Sequence, residues 1–215
     1  MIVFEDENIL VADKPAGLLV IPGRGPAKNE QTLKGMLSEE AGRLWVVHRL
    51  DREASGLVCF ARNAQTHRYL SMKFEQREVK KTYLVLVQGV LSRERDAIQS
   101  KIRTYGSGRM GVHPDGKESE TKYRVKERFV QASLCEVDLM TGRRHQIRVH
   151  FYSIGHPVAG DPLYGSRPEK SLRLMLHAWK LAFRGPDGKP IDLEVAPPPD
   201  FLSVVESLRT RSVQP

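Results

Sequence analysis

A chain of 215 residues, 40% of them hydrophobic, can bury a core as one domain or as two halves packed against each other. Its formal net charge of +8 favours an anionic partner, most often a nucleic acid, over the alternative of a generically basic protein without one. The sequence excludes a framework of several disulfides, because it has only two cysteines, and a membrane helix, which needs roughly 18 consecutive apolar residues. We predict a cytoplasmic protein with buried thiols at Cys59 and Cys135.

Apolar runs and turn residues alternate through the first third of the chain. Strands are predicted at residues 2–4 and 9–12, with turn-forming residues between them. Two helices are predicted at residues 32–41 and 63–76, because each range begins with a residue whose side-chain oxygen can cap the first helical turn.

A short apolar segment at residues 44–47 is followed at once by a dense polar loop. His48, Arg49 and Asp51 arrive within four positions, and an apolar segment resumes at residues 57–61. A polar loop between two core strands is a common way to hold functional groups on a rigid scaffold. The alternative is a surface turn whose charges pair with one another and with water.

The rest of the chain is predicted to consist mostly of strands. Residues 80–88 predict a central strand, because both of its faces are apolar. The polar, glycine-rich residues 91–120 predict an irregular excursion, either in contact with RNA or simply solvated. Residues 144–154 predict a helix. Similar patterns predict further strands and a last helix, at residues 122–129, 132–139, 172–183 and 191–195 and from residue 200 onwards. Many strands with a few inserted helices indicate the α+β class.

Six groups of short motifs occur in a fixed order along nearly the whole chain. They are Asp13–Leu18 (DKPAGL), His48–Asp51 (HRLD) with Ser55–Leu57 (SGL), Lys80–Tyr83 (KKTY), Gly142–His150 (GRRHQIRVH), Gly155–Pro157 (GHP) with Gly160–Gly165 (GDPLYG), and Leu176–Ala178 (LHA). Together they resemble the signature of the RluA-type pseudouridine synthases. The departures are small: Ala54 stands where the family commonly has Thr, and Arg144 where it often has Thr or Ser.

This resemblance implies a fold and a partner. The implied architecture is a single pseudouridine synthase catalytic domain over residues 1–215, with a mixed, largely antiparallel sheet, peripheral helices and a central RNA-binding cleft. Because family-like sequence begins almost at Met1, we expect no N-terminal S4 domain. The implied partner is RNA, as a structured stem-loop of ribosomal or transfer RNA, and we expect a monomer without membrane contact.

The resemblance also implies a reaction. Conversion of uridine to pseudouridine breaks the C1′–N1 bond, rotates the base and joins C1′ to C5, so no cofactor and no metal are expected. Asp51 is the implied nucleophile, with attack at C1′, attack at C6 and a glycal route all open. Arg148 is the implied cation that keeps a shielded carboxylate ionised, with a phosphate contact or a helix-surface charge as the alternative. Tyr83 is the implied residue that stacks on the target base, with a core tyrosine as the alternative.

The other predicted site residues bind the substrate. A stacked uridine must be flipped out of folded RNA, which costs a few kcal/mol. We expect Arg49 to fill the space that the base leaves or to hold neighbouring nucleotides, and Leu176 to pack against the flipped base. The remaining predicted substrate-binding residues are His48, Lys80, Lys81, Arg143 and Arg144.

Two rival functions deserve comparison. The first is a metal site built from His145, His150, His156 and His177. However, His145 and His150 are five residues apart, about 140° around a helix, unlike the i, i+4 pair of a zinc helix. The second is an RNA-binding module without catalysis. The presence of Asp51, Tyr83 and Arg148 argues against that second alternative.

Overall fold

The computed structural model describes three stretches of the chain, residues 1–23, 30–165 and 172–212. These stretches form a mixed, mostly antiparallel sheet with four helices, which confirms the predicted α+β class. None of the helices in them is long and apolar enough to cross a membrane. The chain divides into two units, the first comprising Met1–Lys80 and Ala178–Ala196 and the second Lys81–His177 and Pro197–Pro215. The single-domain assignment stays a prediction.

The first unit combines antiparallel strands with two helices. Its elements are β1 (Ile2–Glu5), β2 (Ile9–Lys14), α1 (Leu33–Ala41), β3 (Trp45–Val46), β4 (Ser55–Ala61), α2 (Ala64–Glu75), most of β10 (Leu176–Arg184) and β11 (Pro190–Glu194). Strand β2 pairs with β1 on one side and with β4 on the other. Strand β3 pairs with β4, and β10 pairs with β11. All four pairings are antiparallel.

Both helices of this unit begin where their capping residues predict. The Thr32 hydroxyl accepts the amide N–H of Gly35 at 3.1 Å, and Asn63 Oδ1 accepts the amide N–H of Thr66 at 2.8 Å. Each bond satisfies one of the amides that the first helical turn would otherwise leave unpaired. These caps confirm two predicted helix starts.

Strand β4 lies at the centre of the first unit and follows the polar loop directly. All seven of its residues are buried. Its inward side chains pack with Ile9 and Val11 of β2 and with Leu70 of α2. The loop that carries Asp51 therefore runs into a strand that the core holds rigidly.

Gly56, in β4, is a position at which no other residue fits. Its φ is +109°, and a methyl group built there would lie 2.2 Å from the Ala178 carbonyl oxygen, a backbone atom that cannot rotate away. We expect Gly56→Ala to lower the free energy of unfolding by about 3 kcal/mol or more, because steric overlap adds to backbone strain. Urea denaturation measures this loss.

Gly42 offers a matched control for that substitution. Its φ is +74°, but nothing lies within 4 Å of a methyl group built there. Gly42→Ala should therefore cost only the backbone strain, about 1 kcal/mol. Equal losses in the two variants would show that the close approach to Ala178 does not constrain Gly56.

The second unit contains the longer strands. Its elements are β5 (Lys80–Gln88, from Lys81), β6 (Arg95–Thr104), β7 (Met110–Val112), β8 (Lys117–Arg128), β9 (Ala132–Leu139), α3 (Gln146–Ser153), the start of β10 and α4 (Pro199–Ser212). The strands lie in the order β5-β9-β8-β6-β7, and each neighbouring pair is antiparallel. The predicted strand at residues 80–88 and the predicted pair near residues 122–139 are confirmed.

The prediction of an irregular excursion at residues 91–120 is wrong. Strands β6 and β7 and the start of β8 occupy most of it. Within β6 only Ile98 and Ile102 are buried, so the strand shows no apolar run and no strict alternation of apolar and polar residues. Its backbone pairs with β8 over residues 95–102, and charges pair across the two strands, as between Lys101 and Glu118. Ladder hydrogen bonds and cross-strand pairs sustain a strand whose side chains are mostly solvated.

Helix α3 differs from its prediction in start and in environment. It begins at Gln146 rather than Arg144, and His145 before it has a left-handed φ of +54°. The side chains of residues 146–151 are all buried. The Arg148 side chain therefore lies in the protein interior rather than on the helix surface.

Candidate active site

The Asp51 loop is closed by a turn and tied to the segment after β2. The Asp51 carbonyl accepts the amide N–H of Ala54 at 3.2 Å, and the Arg52 carbonyl accepts the amide N–H of Gly17 at 2.8 Å. The Asp51 side chain is half-buried. The DKPAGL and HRLD motifs are therefore neighbours in space.

Lys14 is the main tie between these two motifs. Its side chain is completely buried, and its ammonium donates to the carbonyls of Pro15, Leu18 and Arg52 at 2.9, 2.7 and 3.0 Å. A buried ammonium is costly unless such acceptors surround it. Lys14 thus fixes the backbone beside Asp51. Sequence reasoning missed this role, although a lysine at the end of an apolar strand was a signal.

His48 is held by the core of the first unit. Its Nε2 accepts the amide N–H of Cys59 at 3.0 Å, and its ring stacks on Phe74 with centroids 4.7 Å apart. An Nε2 that accepts carries no proton. The ring therefore positions the start of the loop, and its predicted contact with the substrate stays a prediction. Arg49 is exposed and bonds to no other side chain or backbone group in the described part of the chain.

In the second unit, Arg148 is locked into a buried, two-pronged ion pair with Asp161. Its Nε donates to Asp161 Oδ2 at 2.7 Å and its Nη2 to Oδ1 at 2.8 Å. Only 1% of the Arg148 side chain is exposed. This burial excludes the alternative of a helix-surface charge. Any second carboxylate must approach the Nη1–Nη2 edge, because Asp161 occupies the Nε–Nη2 edge.

The Asp161 carboxylate accepts four hydrogen bonds. Besides the two from Arg148, its Oδ1 accepts the amide N–H groups of Leu163 and Tyr164 at 2.8 and 3.0 Å. Burial raises the pKa of Asp161, but the bonds and charge of Arg148 and these two amides outweigh it and leave the pKa below its ordinary value. The stabilisation is therefore present at neutral pH and lost only below about pH 4. Asp161 lies in the GDPLYG motif, but sequence reasoning missed its role as the partner of Arg148.

Tyr164 supports the same cluster from its other side. The Arg148 guanidinium lies 5.2 Å from the centre of its ring. The Tyr164 hydroxyl bonds to His145 Nδ1 at 3.0 Å and accepts the amide N–H of Met110 at 3.2 Å. Strand β7, the residue before α3 and the GDPLYG turn therefore all converge on Arg148.

A buried polar network anchors α3 to β8. Gln146 Nε2 donates to the Thr121 hydroxyl at 3.0 Å and to the Glu120 carbonyl at 2.9 Å. His150 Nδ1 bonds to the same Thr121 hydroxyl at 2.8 Å. Such a network, completely enclosed, fixes the register of the helix and hence the place of Arg148.

His150 makes the stability of this unit depend on pH. Burial lowers its pKa from 6.5 to about 4, so the folded chain keeps the ring neutral where the unfolded chain would protonate it. Protons therefore favour the unfolded chain between these values, and stability falls with falling pH. We expect a loss of about 2 kcal/mol of unfolding free energy between about pH 7 and pH 5, measured by urea denaturation.

Two variants isolate this effect. His150→Asn can still bond to the Thr121 hydroxyl but cannot be protonated, so most of the pH dependence should disappear. His113→Asn removes a histidine from the β7–β8 connection. It should leave the slope of unfolding free energy against pH as in the wild type. An unchanged slope in His150→Asn would assign the pH dependence to other groups.

The other predicted site residues lie in varied settings. Tyr83, in β5, is 7% exposed, and Leu176, at the start of β10, is 5% exposed. The Arg143 guanidinium lies 3.4 Å from the Glu118 carbonyl, and Arg144 Nη1 donates to the Gly108 carbonyl at 3.2 Å. Lys80 and Arg144 are exposed, whereas Lys81 and Arg143 are half-buried.

Three of the histidines weighed as metal ligands have other partners. His145 bonds to Tyr164, His150 to Thr121, and His156 Nδ1 to the Gln88 carbonyl at 2.9 Å. Across the ranges that the structure describes, no group of three His, Cys, Asp or Glu side chains could hold a metal ion. Both cysteines are buried and free, as predicted.

Several known proteins are similar to this chain in sequence. The sequence profile described as RNA pseudouridylate synthase matches residues 8–153. Ribosomal large subunit pseudouridine synthase D of Nitrosomonas europaea is 38% identical, over 97% of this chain and 65% of its own length. Dual-specificity RNA pseudouridine synthase RluA of Vibrio vulnificus is 37% identical, over 86% of this chain and 78% of its own length.

A solved structure has the same fold over the entire chain. Human RNA pseudouridylate synthase domain containing 1 superposes with a TM-score of 0.81 and 27% identity, covering 100% of this chain and 95% of that one. The chain thus matches this structure over nearly its full length, whereas it spans only 65% of the Nitrosomonas relative.

Proposed function

Because the chain belongs to the RNA pseudouridylate synthase family, we propose that it isomerises specific uridines in structured ribosomal or transfer RNA to pseudouridine. The observation that carries the proposal is the family match over residues 8–153, which includes Asp51, Tyr83 and Arg148. The two relatives named above add support, since one is named for ribosomal RNA and the other for dual specificity. A cytoplasmic location and a monomeric state belong to the same proposal.

We propose Asp51 as the nucleophile. A carboxylate can form a covalent intermediate and later leave, so one group serves both the detachment of the base from C1′ and its reattachment through C5. Attack at C1′, attack at C6 and a glycal route all use this carboxylate. The atoms balance within the nucleoside, apart from a proton that leaves C5 and one that N1 gains, so neither a metal nor a cofactor enters the scheme.

The structure supports this assignment by the way it holds the loop. Lys14 binds the carbonyl next to Asp51, and His48 fixes the strand end before it. A nucleophile needs such a rigid support to keep its attack geometry. A surface turn held only by exposed ion pairs would not need a completely buried lysine.

We propose Arg148 as the cation that keeps the nucleophile ionised and Tyr83 as the residue that stacks on the target base. The burial of Arg148 supports a role in the chemistry over one in phosphate binding, because a phosphate contact requires access to solvent. The low exposure of Tyr83 is compatible with both stacking and a core role. These roles rest on the family resemblance.

Substrate binding is assigned to the remaining predicted residues. Arg49, exposed on the nucleophile's loop, is proposed to enter the space that the flipped base leaves. Leu176 is proposed to pack against that base. The proposed phosphate and neighbouring-nucleotide contacts come from His48, Lys80, Lys81, Arg143 and Arg144.

Tritium release tests the proposed function. Uridine labelled at C5 loses its label to water when C5 bonds to C1′, so the wild-type protein should release tritium from a labelled ribosomal or transfer RNA transcript. Release should persist in chelator under conditions that keep the RNA folded. Tight binding of these transcripts without any release would favour the RNA-binding module that lacks catalysis.

A further inference from the structure

A groove of about 470 Å³ in the second unit lies between the β6–β7 hairpin and the exposed end of α3. We call it the hairpin groove. Its lining includes the side chains Tyr105, Arg109, Val112, Tyr152, Ser153 and Tyr164. Of these residues, only Tyr164 also belongs to the candidate active site, where its ring lies against Arg148.

Aromatic rings form much of the lining. Tyr105 is 40% exposed and Tyr152 is 49% exposed, whereas Tyr164 is buried beneath them. Exposed rings that face an open groove provide stacking surface for a planar ligand. Every RNA base has such a face, so the groove suits an unpaired base.

The charge in the groove is positive. Arg109 is exposed, and its guanidinium lies 4.9 Å from the Tyr164 ring centre and 5.8 Å from that of Tyr152. No carboxylate pairs with Arg109 in the described part of the chain, and the lining contains no acidic side chain. A cation beside aromatic rings complements a nucleotide, which carries a base and a phosphate on one sugar.

The groove is formed before any ligand arrives. The hairpin is closed by the amide of Tyr105 donating to the Arg109 carbonyl at 2.8 Å, and the Tyr105 hydroxyl donates to the Val112 carbonyl at 3.2 Å. Arg144 holds its tip through the Gly108 carbonyl at 3.2 Å. A ligand would therefore bind without the cost of ordering this segment.

The groove lies next to Arg148, because the ring of Tyr164 is in contact with both Arg109 in the groove and Arg148. The guanidinium carbon of Arg109 lies 4.9 Å from the Tyr164 ring centre, and that of Arg148 lies 5.2 Å from it. We propose that the hairpin groove binds one unpaired nucleotide of the RNA substrate, with its base stacked on Tyr152 and its phosphate held by Arg109. This rests on the proposed function, because it makes the occupant a nucleotide near the target uridine.

Binding of a fluorescein-labelled single-stranded oligoadenylate, followed by anisotropy, tests the groove separately from catalysis. Tyr152→Leu should weaken binding about tenfold, because one base loses its stack. Tyr152→Phe keeps the ring and should bind as the wild type does. Wild-type affinity in Tyr152→Leu, or no measurable binding by the wild-type protein, would overturn the proposal.

An abasic probe of equal length shows whether the base is what Tyr152 contacts. It keeps the sugars and phosphates, so the wild-type protein should bind it about tenfold more weakly than oligoadenylate. Tyr152→Leu should then cause no further loss. A tenfold loss on the abasic probe as well would contradict base stacking.

Salt dependence tests the phosphate contact. Arg109→Gln should reduce the slope of log affinity against log salt by about 0.7, the value for one contact with single-stranded RNA. Arg211→Gln, which removes an exposed charge from α4, is the matched control and should leave the slope unchanged. Equal slopes for the two variants would remove Arg109 from the site. Tritium release by the wild-type protein is measured in parallel, so failure of the proposed function is seen independently.

Discussion

Asp51→Asn should abolish turnover while leaving RNA affinity within about tenfold of the wild type. The substitution keeps the shape of the side chain but removes the carboxylate that all three proposed routes use. Loss of a nucleophile typically lowers the rate by more than about a thousandfold. Single-turnover tritium release and a parallel binding measurement give the two quantities.

Glu53→Gln provides the matched control for this prediction. Glu53 lies two residues away in the same loop and is also half-buried, so its substitution removes the same charge from the same backbone. It should retain most of the wild-type rate. Substantial tritium release by Asp51→Asn would end the assignment of Asp51 as nucleophile. Equal losses of rate in both variants would indicate that the charge of the loop, and not this one carboxylate, is what the reaction needs.

Arg148→Lys should bind RNA nearly normally and react about a hundredfold more slowly in single-turnover conditions. Lysine keeps the charge but cannot reach both oxygens of Asp161, so the buried pair loses its forked geometry. The lost charge-assisted hydrogen bond should also lower the free energy of unfolding by about 2 kcal/mol. Rate, affinity and urea denaturation measure the three effects.

Arg209→Lys is the matched control, because it also replaces an arginine that forms a two-pronged ion pair with a carboxylate. Arg209 binds both oxygens of Glu127, but this pair lies at the surface, where solvent screens it. Its substitution should change rate and stability little. If Arg148 were instead a phosphate contact, Arg148→Ala would show near-normal single-turnover rates with weaker, less salt-sensitive binding. That result would move Arg148 to the substrate-binding set.

The helices and the apolar strands were predictable because their signals are local. Thr32 and Asn63 cap helices through bonds to amides three residues ahead, and residues 83–87 of β5 form an unbroken apolar run. Strand β6 was not predictable in this way. Its ladder with β8 depends on residues about 20 positions away, and only two of its side chains are buried.

For the candidate site, too, local sequence signals and contacts between distant residues differ in what they allow to be predicted. Motif order led to the prediction of Asp51, Tyr83 and Arg148 as site residues, which stays a prediction. It could not supply their partners, because the contacts of Lys14 with Arg52 and of Arg148 with Asp161 exist only after the chain folds. The surroundings of α3 were not predictable for a related reason: a buried helix can place polar groups, such as Gln146 and His150, where hydrogen bonds satisfy them.

Mapping of pseudouridines in RNA from cells with and without the gene tests the central claim most directly. We expect one or a few pseudouridines in ribosomal or transfer RNA to disappear without the gene and to return with the wild-type copy, but not with Asp51→Asn. An unchanged map in the cells that lack the gene, across both RNA classes, would contradict the claim that this chain is a pseudouridine synthase of those RNAs.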